Sequence, residues 1–167
     1  MQRVSPAIGT RKFSTLKRRT FACRKKKPAL ILAKKFGATV LPAPKGYGIG
    51  GEHNYYFSHM MNCIYDCRYC FLQGMYRSAH YVVFVNYERF FEGMAEKVKT
   101  HAGEDVWFFS GYDCDSLALE PVTGFVRELL DWLREHPRAQ VELRTKSTQI
   151  RRLFETAPLS NVVIAFS

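Results

Sequence analysis

The first 51 residues of this 167-residue chain contain no aspartate and no glutamate. They contain thirteen lysines and arginines, whereas the rest, from Glu52 onward, has twelve basic and fifteen acidic residues. The net charge of +10 therefore belongs to an N-terminal arm, with basic clusters at Lys17–Arg19 and Arg24–Lys27. Such an arm attracts polyanions, of which nucleic acid is the commonest. A solvated, partly disordered segment is an equal alternative, and an organelle transit peptide is a weaker one because lysine clusters dominate.

Long apolar runs are also missing. The longest, Ala29–Ala33 and Tyr81–Val85, are far shorter than the roughly 20 residues that a membrane-spanning helix needs. The N-terminus lacks the apolar core of a secretory signal. We therefore expect a cytoplasmic protein with no membrane partner. In a reducing compartment its five cysteines would bind metal or react rather than cross-link.

Proline and glycine residues separate short segments in the N-terminal third of the chain. Residues 1–27 are predicted to be weakly structured, and Pro28–Gly37 to form a short helix. Leu41–Gly51 has the composition of a linker. We place a boundary there, which divides the chain into a basic arm with its linker, residues 1–51, and a catalytic region, residues 52–167.

Beyond the linker, strand-like and helix-like segments alternate. The strands are expected at Tyr55–Met61, Tyr81–Val85 (or a buried connector), Val106–Tyr112, Val141–Lys146 and Asn161–Ser167. The helices are expected at Tyr87–Thr100, Glu120–Glu135 and Thr148–Glu155. This alternation predicts an α/β fold with a parallel sheet. Because the chain ends on an uncovered apolar strand and a parallel barrel needs about 200 residues or more, we expect the N-terminal half of a partial (β/α) barrel, apparently truncated.

Cys63, Cys67 and Cys70 fall within eight residues in the spacing C-x3-C-x2-C, with no fourth cysteine beside them. A structural zinc site usually takes four protein ligands, so zinc would need another from Cys23, Cys114 or a histidine. An iron–sulfur cubane uses the same soft thiolates, and three of them leave one iron without a protein ligand. An iron with an open coordination position suits a cluster that binds a substrate or cofactor. Three buried structural thiols are the remaining alternative.

The spacing, with an aromatic residue, Tyr69, directly before the third cysteine, resembles the signature of the radical S-adenosylmethionine superfamily. Its place after the first strand of the α/β region agrees, because α/β barrels build their sites at carboxyl-terminal strand ends. The resemblance implies that Cys63, Cys67 and Cys70 hold a 4Fe–4S cluster whose open iron binds the amino and carboxylate groups of S-adenosylmethionine. It also implies a reducing electron donor and cleavage of the cofactor to a 5′-deoxyadenosyl radical.

The residues around the motif resemble one family within that superfamily. The stretches "CIYDCRYCFLQG", "YVVFVN", "DSLALEPVTGF" and "ELRTKS" are similar to the spore photoproduct lyase family, over about Tyr55 to Ser167. By this resemblance Lys146 contacts the carboxylate of S-adenosylmethionine, the backbone of Tyr69 lies near its adenine, and Ser167 faces the cofactor. The family's substrate is DNA that carries a thymine dimer lesion.

At "SGYDCDS" the sequence departs from that family. When the stretch is aligned on Asp115, Cys114 stands where the lyases have a cofactor-binding serine. Tyr112 then stands where they have the cysteine that returns a hydrogen atom to the product radical, which speaks against photoproduct reversal. Residues 112 and 114 would share one face of an extended segment, so either could donate the hydrogen atom. A buried, inert thiol is the alternative for Cys114.

Five further residues have weaker signals. Asp113 and Asp115 could bind a metal, but capping by Asp115 is at least as consistent with its position before a helix. Glu52, His53 and His59 flank the first strand of the α/β region. One of them could line the substrate opening, although a cap or a buried hydrogen bond is the simpler expectation.

The sequence therefore predicts a radical S-adenosylmethionine enzyme similar to spore photoproduct lyase, with DNA lesion repair as the implied activity. One alternative keeps the radical chemistry and changes the substrate to another nucleic acid, a peptide or a small molecule. Another is a non-catalytic nucleic-acid-binding module that a metal stabilises. A third is an incomplete product that holds a cluster without turnover.

Overall fold

The computed structural model describes residues 28–155 and 157–167. The predictions for residues 1–27, including a ligand role for Cys23, lie outside this part of the chain. The described residues form eight strands and five helices. In chain order these are β1 (Leu30–Ala33), β2 (Val40–Pro42), β3 (His53–Phe57), β4 (Met60–Met61), α1 (Leu72–Met75), β5 (Tyr81–Phe84), α2 (Glu88–Thr100), β6 (Val106–Ser110), α3 (Glu120–Thr123), α4 (Phe125–Arg134), β7 (Ala139–Thr145), α5 (Arg151–Phe154) and β8 (Val162–Phe166). None of the described helices has the length and apolar character needed to cross a membrane.

The larger of two sheets has the strand order β2-β3-β6-β7-β8. Its last four strands are parallel, and β2 is antiparallel at one edge. Helices lie in each connection between consecutive parallel strands of this sheet: α2 before β6, α3 and α4 before β7, and α5 before β8. The predicted α/β class is confirmed.

The smaller sheet has the order β1-β5-β4, with β1 parallel and β4 antiparallel to β5. The segment Tyr55–Met61, predicted as one strand, is therefore two strands in different sheets. The chain leaves the larger sheet after Phe57, and Met60 pairs with Val83 in the smaller one. Tyr81–Phe84 is a strand rather than a connector.

The prediction of a helix over Pro28–Gly37 is wrong, because Leu30–Ala33 is strand β1. Its backbone pairs in parallel with Tyr81–Phe84. Leu30 and Leu32 are 42% and 65% exposed, whereas the residues that alternate with them are half-buried. This period of two is that of a strand, and the distant pairing partner outweighs the local helix propensity.

The main core lies between the larger sheet and two amphipathic helices. Helix α2 buries Phe90, Met94 and Val98, and α4 buries Phe125, Val126, Leu129, Leu130 and Leu133. These side chains pack with apolar residues of the central strands, among them Val106, Phe108, Val141 and Leu143. Each fully buried side chain of this kind contributes about 1.5–3 kcal/mol to folding. The helical periodicity of the sequence predicts both buried faces.

The predicted helix Glu120–Glu135 is interrupted at Gly124, whose φ of 61° is left-handed. Glycine adopts that conformation without the steric cost of a Cβ. The side chain of Glu120, which is 2% exposed, accepts a hydrogen bond from the Val126 amide at 3.0 Å. The Val126 amide lies in the first turn of α4, where a backbone donor has no partner within the helix, and this bond satisfies it. Val122 lies before the break and is 66% exposed.

Residues 43–51, predicted as a linker, cross the face of the larger sheet that is opposite to the helices. The ring of Tyr47 packs edge-on against Phe109 with centroids 5.0 Å apart. Gly51 lies so close to Trp107 that a Cβ there would stand 2.1 Å from the indole Cδ1. The segment therefore covers part of the sheet, and the domain boundary near residue 51 stays a prediction.

Candidate functional site

The carboxyl-terminal ends of β3, β6, β7 and β8 lie along one edge of the larger sheet, here called the carboxyl edge. The parallel register shows this, because Phe57 pairs with Ser110 and Thr145 pairs with Phe166. All the predicted site residues follow these strand ends: Cys63, Cys67, Tyr69 and Cys70 after β3 and β4, Tyr112 and Cys114 after β6, Lys146 after β7, and Ser167 after β8. The fold thus gathers at one edge residues that are far apart in the sequence.

Cys63, Cys67 and Cys70 lie on the segment between β4 and α1, here called the cysteine loop, and all three are half-buried. The loop is a hydrogen-bonded turn in which the Cys70 amide donates to the Cys67 carbonyl at 3.0 Å. The side-chain amide of Gln73 donates to the same carbonyl. The Tyr65 amide donates to Cys63 Sγ at 3.4 Å, and a donor at sulfur favours the thiolate that binds metal.

The spacing of the three sulfur atoms bears on the kind of metal centre that they could hold. Among the described residues, they do not form a group whose ligand atoms all lie within 4.8 Å of one another. Thiolates around a single zinc ion, each about 2.3 Å from the metal, would stand that close together. In a cubane each thiolate binds a different iron, so wider separations are required. The arrangement as it stands therefore does not match a single zinc ion bound by all three thiolates, and the role of these cysteines as cluster ligands stays a prediction.

Asn62 ties the cysteine loop to its surroundings. It is 2% exposed, and its φ of 73° is the one left-handed value among the described non-glycine residues. Its Nδ2 donates to the carbonyls of Ser78 and His80 at 2.8 and 3.1 Å. Its Oδ1 accepts from the Cys63 amide at 2.9 Å, and its own amide donates to the Asp113 carbonyl at 2.9 Å. Sequence reasoning missed this residue, although asparagine tolerates left-handed backbone better than most residues.

Lys146 lies beside two other residues of the predicted cofactor set. Its Nζ is 5.4 Å from the centroid of the Tyr69 ring and donates to the Ser167 carbonyl at 2.6 Å. Contact with the Tyr69 side chain raises the pKa of Lys146, which therefore stays cationic. The Tyr69 side chain is 82% exposed. The fold brings these three residues together, and what they bind stays a prediction.

A buried carboxylate, Asp115, fixes the backbone beneath Lys146. Its Oδ2 accepts from the Lys146 amide at 2.7 Å. Its Oδ1 accepts from the Thr145 hydroxyl at 2.7 Å and from the amides of Leu117 and Ala118 at 3.0 and 2.8 Å. The carboxylate therefore caps the turn after β6 and joins that turn to the end of β7. The expected helix capping is not what the carboxylate does, because α3 has Leu119 at its N-cap and no side-chain capping bond. Asp115 instead satisfies amides of a turn and of Lys146, which follows β7.

Cys114 is 5% exposed and packs with Met60 and Val83. Burial, and then the neighbouring Cys63, raise the pKa of the Cys114 thiol well above its ordinary value. The group therefore stays protonated at neutral pH, as a hydrogen-atom donor must be. The predicted donor and cofactor-binding roles of Cys114 stay predictions.

Tyr112 is half-buried and contacts the cysteine loop. Its ring centroid is 4.5 Å from that of Tyr56 on β3 and 5.6 Å from that of Phe71, which follows the third cysteine. The segment from Gly111 to Ser116 is bent rather than extended, and a Cβ on Gly111 would stand 2.6 Å from Ser116 Oγ. The sequence suggested that residues 112 and 114 share one face of an extended segment. The bend means that they do not. Tyr112 meets aromatic rings, whereas the residue two positions on is buried among aliphatic side chains.

A second tyrosine, Tyr76, was missed by sequence reasoning. Its hydroxyl oxygen is buried. Burial, followed by the charge of the nearby Asp113, raises the pKa of Tyr76 above its ordinary value. A protonated phenol and the protonated Cys114 thiol thus lie near the same carboxylate. Nothing in the spacing of the sequence points to Tyr76.

The two histidines near β3 lie at its opposite ends. His59 is 1% exposed and stacks on Phe125 with ring centroids 4.1 Å apart. Burial lowers the pKa of His59 to about 3, so it is a neutral core residue. His53 begins β3 at the opposite end of the strand, where its Nε2 lies 3.1 Å from Glu104 Oε2.

Comparisons with known proteins point in one direction. A family model described as spore photoproduct lyase matches residues 52–167. A solved spore photoproduct lyase complexed with dinucleoside spore photoproduct is similar, with a TM-score of 0.72, 16% identity and 82% of this chain covered. A mutant of spore photoproduct lyase with bound AdoMet and dinucleoside spore photoproduct gives the same TM-score, identity and coverage of this chain. No curated protein matches the sequence.

The solved lyases are much longer than this chain. A further solved structure, a mutant of spore photoproduct lyase with dinucleoside spore photoproduct, has a TM-score of 0.71 and 16% identity. The chain spans 38–39% of the length of these solved lyases. At such identity the likeness concerns the fold.

Proposed function

The chain belongs to the spore photoproduct lyase family, and from this premise we propose that it is a radical S-adenosylmethionine enzyme with a 4Fe–4S cluster on Cys63, Cys67 and Cys70. The observation that carries the proposal is the convergence of three half-exposed thiols with Lys146 and Tyr69 at the carboxyl edge. When bound and reduced by an electron donor, the cluster supplies the electron that cleaves S-adenosylmethionine to a 5′-deoxyadenosyl radical.

In this proposal the residues of the cysteine loop present thiolates at a fixed spacing. The Tyr65 amide stabilises negative charge on Cys63 Sγ. Asn62 holds the start of the loop by its bonds to the carbonyls of Ser78 and His80. Both bonds join the start of the loop to backbone groups elsewhere in the fold.

Lys146 would bind the carboxylate of S-adenosylmethionine through a charge-assisted hydrogen bond. Its raised pKa keeps the ammonium charged, and the bond from its amide to Asp115 fixes the position of its backbone. Tyr69 and Ser167 flank the same ammonium and would border the bound cofactor.

For the substrate, we propose DNA that carries a thymine dimer lesion. Solved relatives hold dinucleoside spore photoproduct, which is a lesion of this class. Tyr69 and Phe71 are 82% and 55% exposed at the carboxyl edge, and aromatic rings in such positions stack on extruded bases. The excess of positive charge before Glu52 would attract the phosphate backbone.

A second candidate keeps the radical chemistry and changes the substrate. It is favoured by Tyr112, which stands where the family's hydrogen-donating cysteine is expected and packs between Tyr56 and Phe71. The variants Tyr112→Phe and Cys114→Ala separate the two possible hydrogen donors. Each should trap or misroute the product radical if its residue is the donor, as seen by product analysis with a dinucleoside photoproduct. Normal product from both variants would refute both donor roles.

The test of the proposed function is anaerobic reconstitution with iron and sulfide, followed by electron paramagnetic resonance of the reduced protein. A 4Fe–4S signal that changes when S-adenosylmethionine is added is the expected result. The variant Cys67→Ser should lose the cluster, whereas Cys114→Ser, its matched control outside the loop, should keep it. Stoichiometric zinc without iron would support the metal-stabilised module instead, and a cluster that ignores S-adenosylmethionine would refute the enzyme proposal.

A further inference from the structure

A group of metal-ligating side chains lies at the other end of the same strands, away from the carboxyl edge. His53 begins β3 and pairs in register with Val106 at the start of β6, while Glu104 lies in the turn before β6. One ligand atom from each of Glu52, His53 and Glu104 lies within 4.8 Å of the others. The four residue steps of β3 separate this group from the carboxyl edge by about 13 Å.

We propose that Glu52, His53 and Glu104 form a binding site for one divalent cation, for which zinc is the best match. Zinc accepts imidazole nitrogen together with carboxylate oxygen, and three protein ligands with one water complete a tetrahedral set. Ligand atoms that are each about 2.0–2.1 Å from a tetrahedral zinc stand roughly 3.4 Å apart. The 3.1 Å from His53 Nε2 to Glu104 Oε2 is close to that separation.

The charges at this site favour a cation. Two carboxylates, Glu52 and Glu104, approach each other, and like charges at such a distance repel unless a proton or a cation lies between them. Asp105 adds a third acidic residue next to Glu104. The cation of Lys97 is directed elsewhere, over the ring of Tyr55 at 5.7 Å.

The imidazole of His53 is already oriented by its neighbours. The ring of His101 stacks on it with centroids 3.6 Å apart and an interplanar angle of 16°. His101 is itself held by a 2.8 Å hydrogen bond between its Nε2 and the hydroxyl of Tyr55. The stacked ring of His101 restricts the orientation of the His53 imidazole. A bound cation would join the turn before β6 to the start of β3.

The site can be tested without reference to the cluster. The 167-residue chain with Cys63→Ser, Cys67→Ser and Cys70→Ser lacks the thiols that would otherwise bind zinc. Titration calorimetry of this chain should show one zinc ion per chain. His53→Gln and Glu104→Gln each remove a proposed ligand and should weaken zinc binding by at least about tenfold, because even the loss of a residue that only supports a ligand costs that much. Glu88→Gln, an exposed carboxylate on α2, is the matched control and should leave the affinity unchanged.

A second measurement serves if the serine-substituted chain folds poorly. Cobalt(II) added to the unsubstituted, cluster-loaded chain should give the weak visible bands of nitrogen and oxygen ligation, without intense sulfur-to-metal charge transfer. His53→Gln should abolish those bands. If neither metal binds, or if both bind His53→Gln as tightly as the parent chain, the group is an ordinary histidine–glutamate pair and the proposal is wrong. Either outcome leaves the proposed radical function untouched.

Discussion

The two ends of the parallel strands β3 and β6 are built differently. At the carboxyl edge, the side chains of Asn62 and Asp115 are buried and bond mainly to backbone amides and carbonyls. At the amino end, His53 and Glu104 contact each other through their side chains, and that of Glu104 is 59% exposed. At the carboxyl edge, buried side chains therefore bond to the backbone, whereas at the amino end the side chains of His53 and Glu104 bond to each other.

This difference has energetic consequences. Removing a buried side chain that satisfies backbone groups leaves those groups without partners, at about 1–3 kcal/mol for each. An exposed ion pair contributes only about 0–1 kcal/mol. Substitutions at the carboxyl edge should therefore destabilise the fold, and those at the amino end should matter chiefly when a cation is bound.

The largest effect is expected for Asp115→Ala. Three backbone amides and the Thr145 hydroxyl would lose their acceptor, so the free energy of unfolding should fall by at least about 3 kcal/mol. The matched control at the amino end is Asp105→Ala, an exposed site, which should change the free energy of unfolding by less than about 0.5 kcal/mol. Urea denaturation measures both. Equal losses in the two variants would contradict the comparison.

The next effect is a dependence on pH that comes from His59. Burial lowers its pKa from 6.5 to about 3, so between these values the unfolded chain binds a proton that the folded chain does not. Above pH 6.5, His59 therefore does not reduce the free energy of unfolding. Below it, the free energy of unfolding falls by about 1.4 kcal/mol per pH unit as the pH drops towards 3. His59→Phe keeps a ring against Phe125 and should reduce the loss between about pH 6 and about pH 4 by roughly 2–3 kcal/mol. Parallel pH profiles for parent and variant would mean that His59 is not a buried neutral group.

A pair of substitutions at Asn62 separates its side chain from its backbone. Asn62→Gly removes the hydrogen bonds to Ser78 and His80 and should cost about 1–3 kcal/mol. Asn62→Ala should cost about 1 kcal/mol more, because alanine is strained at a φ of 73°. Both should take up less iron and sulfide than the parent chain, whereas His53→Gln at the amino end should take up the same amount. Full iron uptake by both Asn62 variants would show that the loop does not need this anchor.

Much of the carboxyl edge could be predicted from the sequence. The periodicity of α2 and α4 and the apolar strands between them indicate a parallel sheet, and parallel strands place their carboxyl ends together. The cysteine spacing then predicts which loop would carry metal chemistry. These signals are local, and each depends on residues within one or two turns of the chain.

The rest depends on contacts that no local pattern encodes. Strand β1 was predicted as a helix because its partner, Tyr81–Phe84, lies about fifty residues later in the chain. His53 and Glu104 are 51 residues apart and meet only when β3 and β6 align. The hydrogen bonds of Asn62 and Asp115 likewise require separate loops to meet. The sequence therefore suggests candidate reactive residues but not the residues that hold them in place.

The smallest change to the fold, with an effect confined to binding, is expected for Lys146→Met. The ammonium is exposed, so its loss should leave the urea midpoint unchanged. The affinity of the reconstituted protein for S-adenosylmethionine should fall by roughly tenfold, because the carboxylate of the cofactor loses its cationic partner. Titration of the cofactor-dependent change in the electron paramagnetic resonance signal measures this. Lys99→Met, an exposed lysine on α2, is the control and should bind like the parent chain. If the two variants bind alike, Lys146 does not contact the cofactor, and the carboxyl edge would owe its selectivity to the cysteine loop alone.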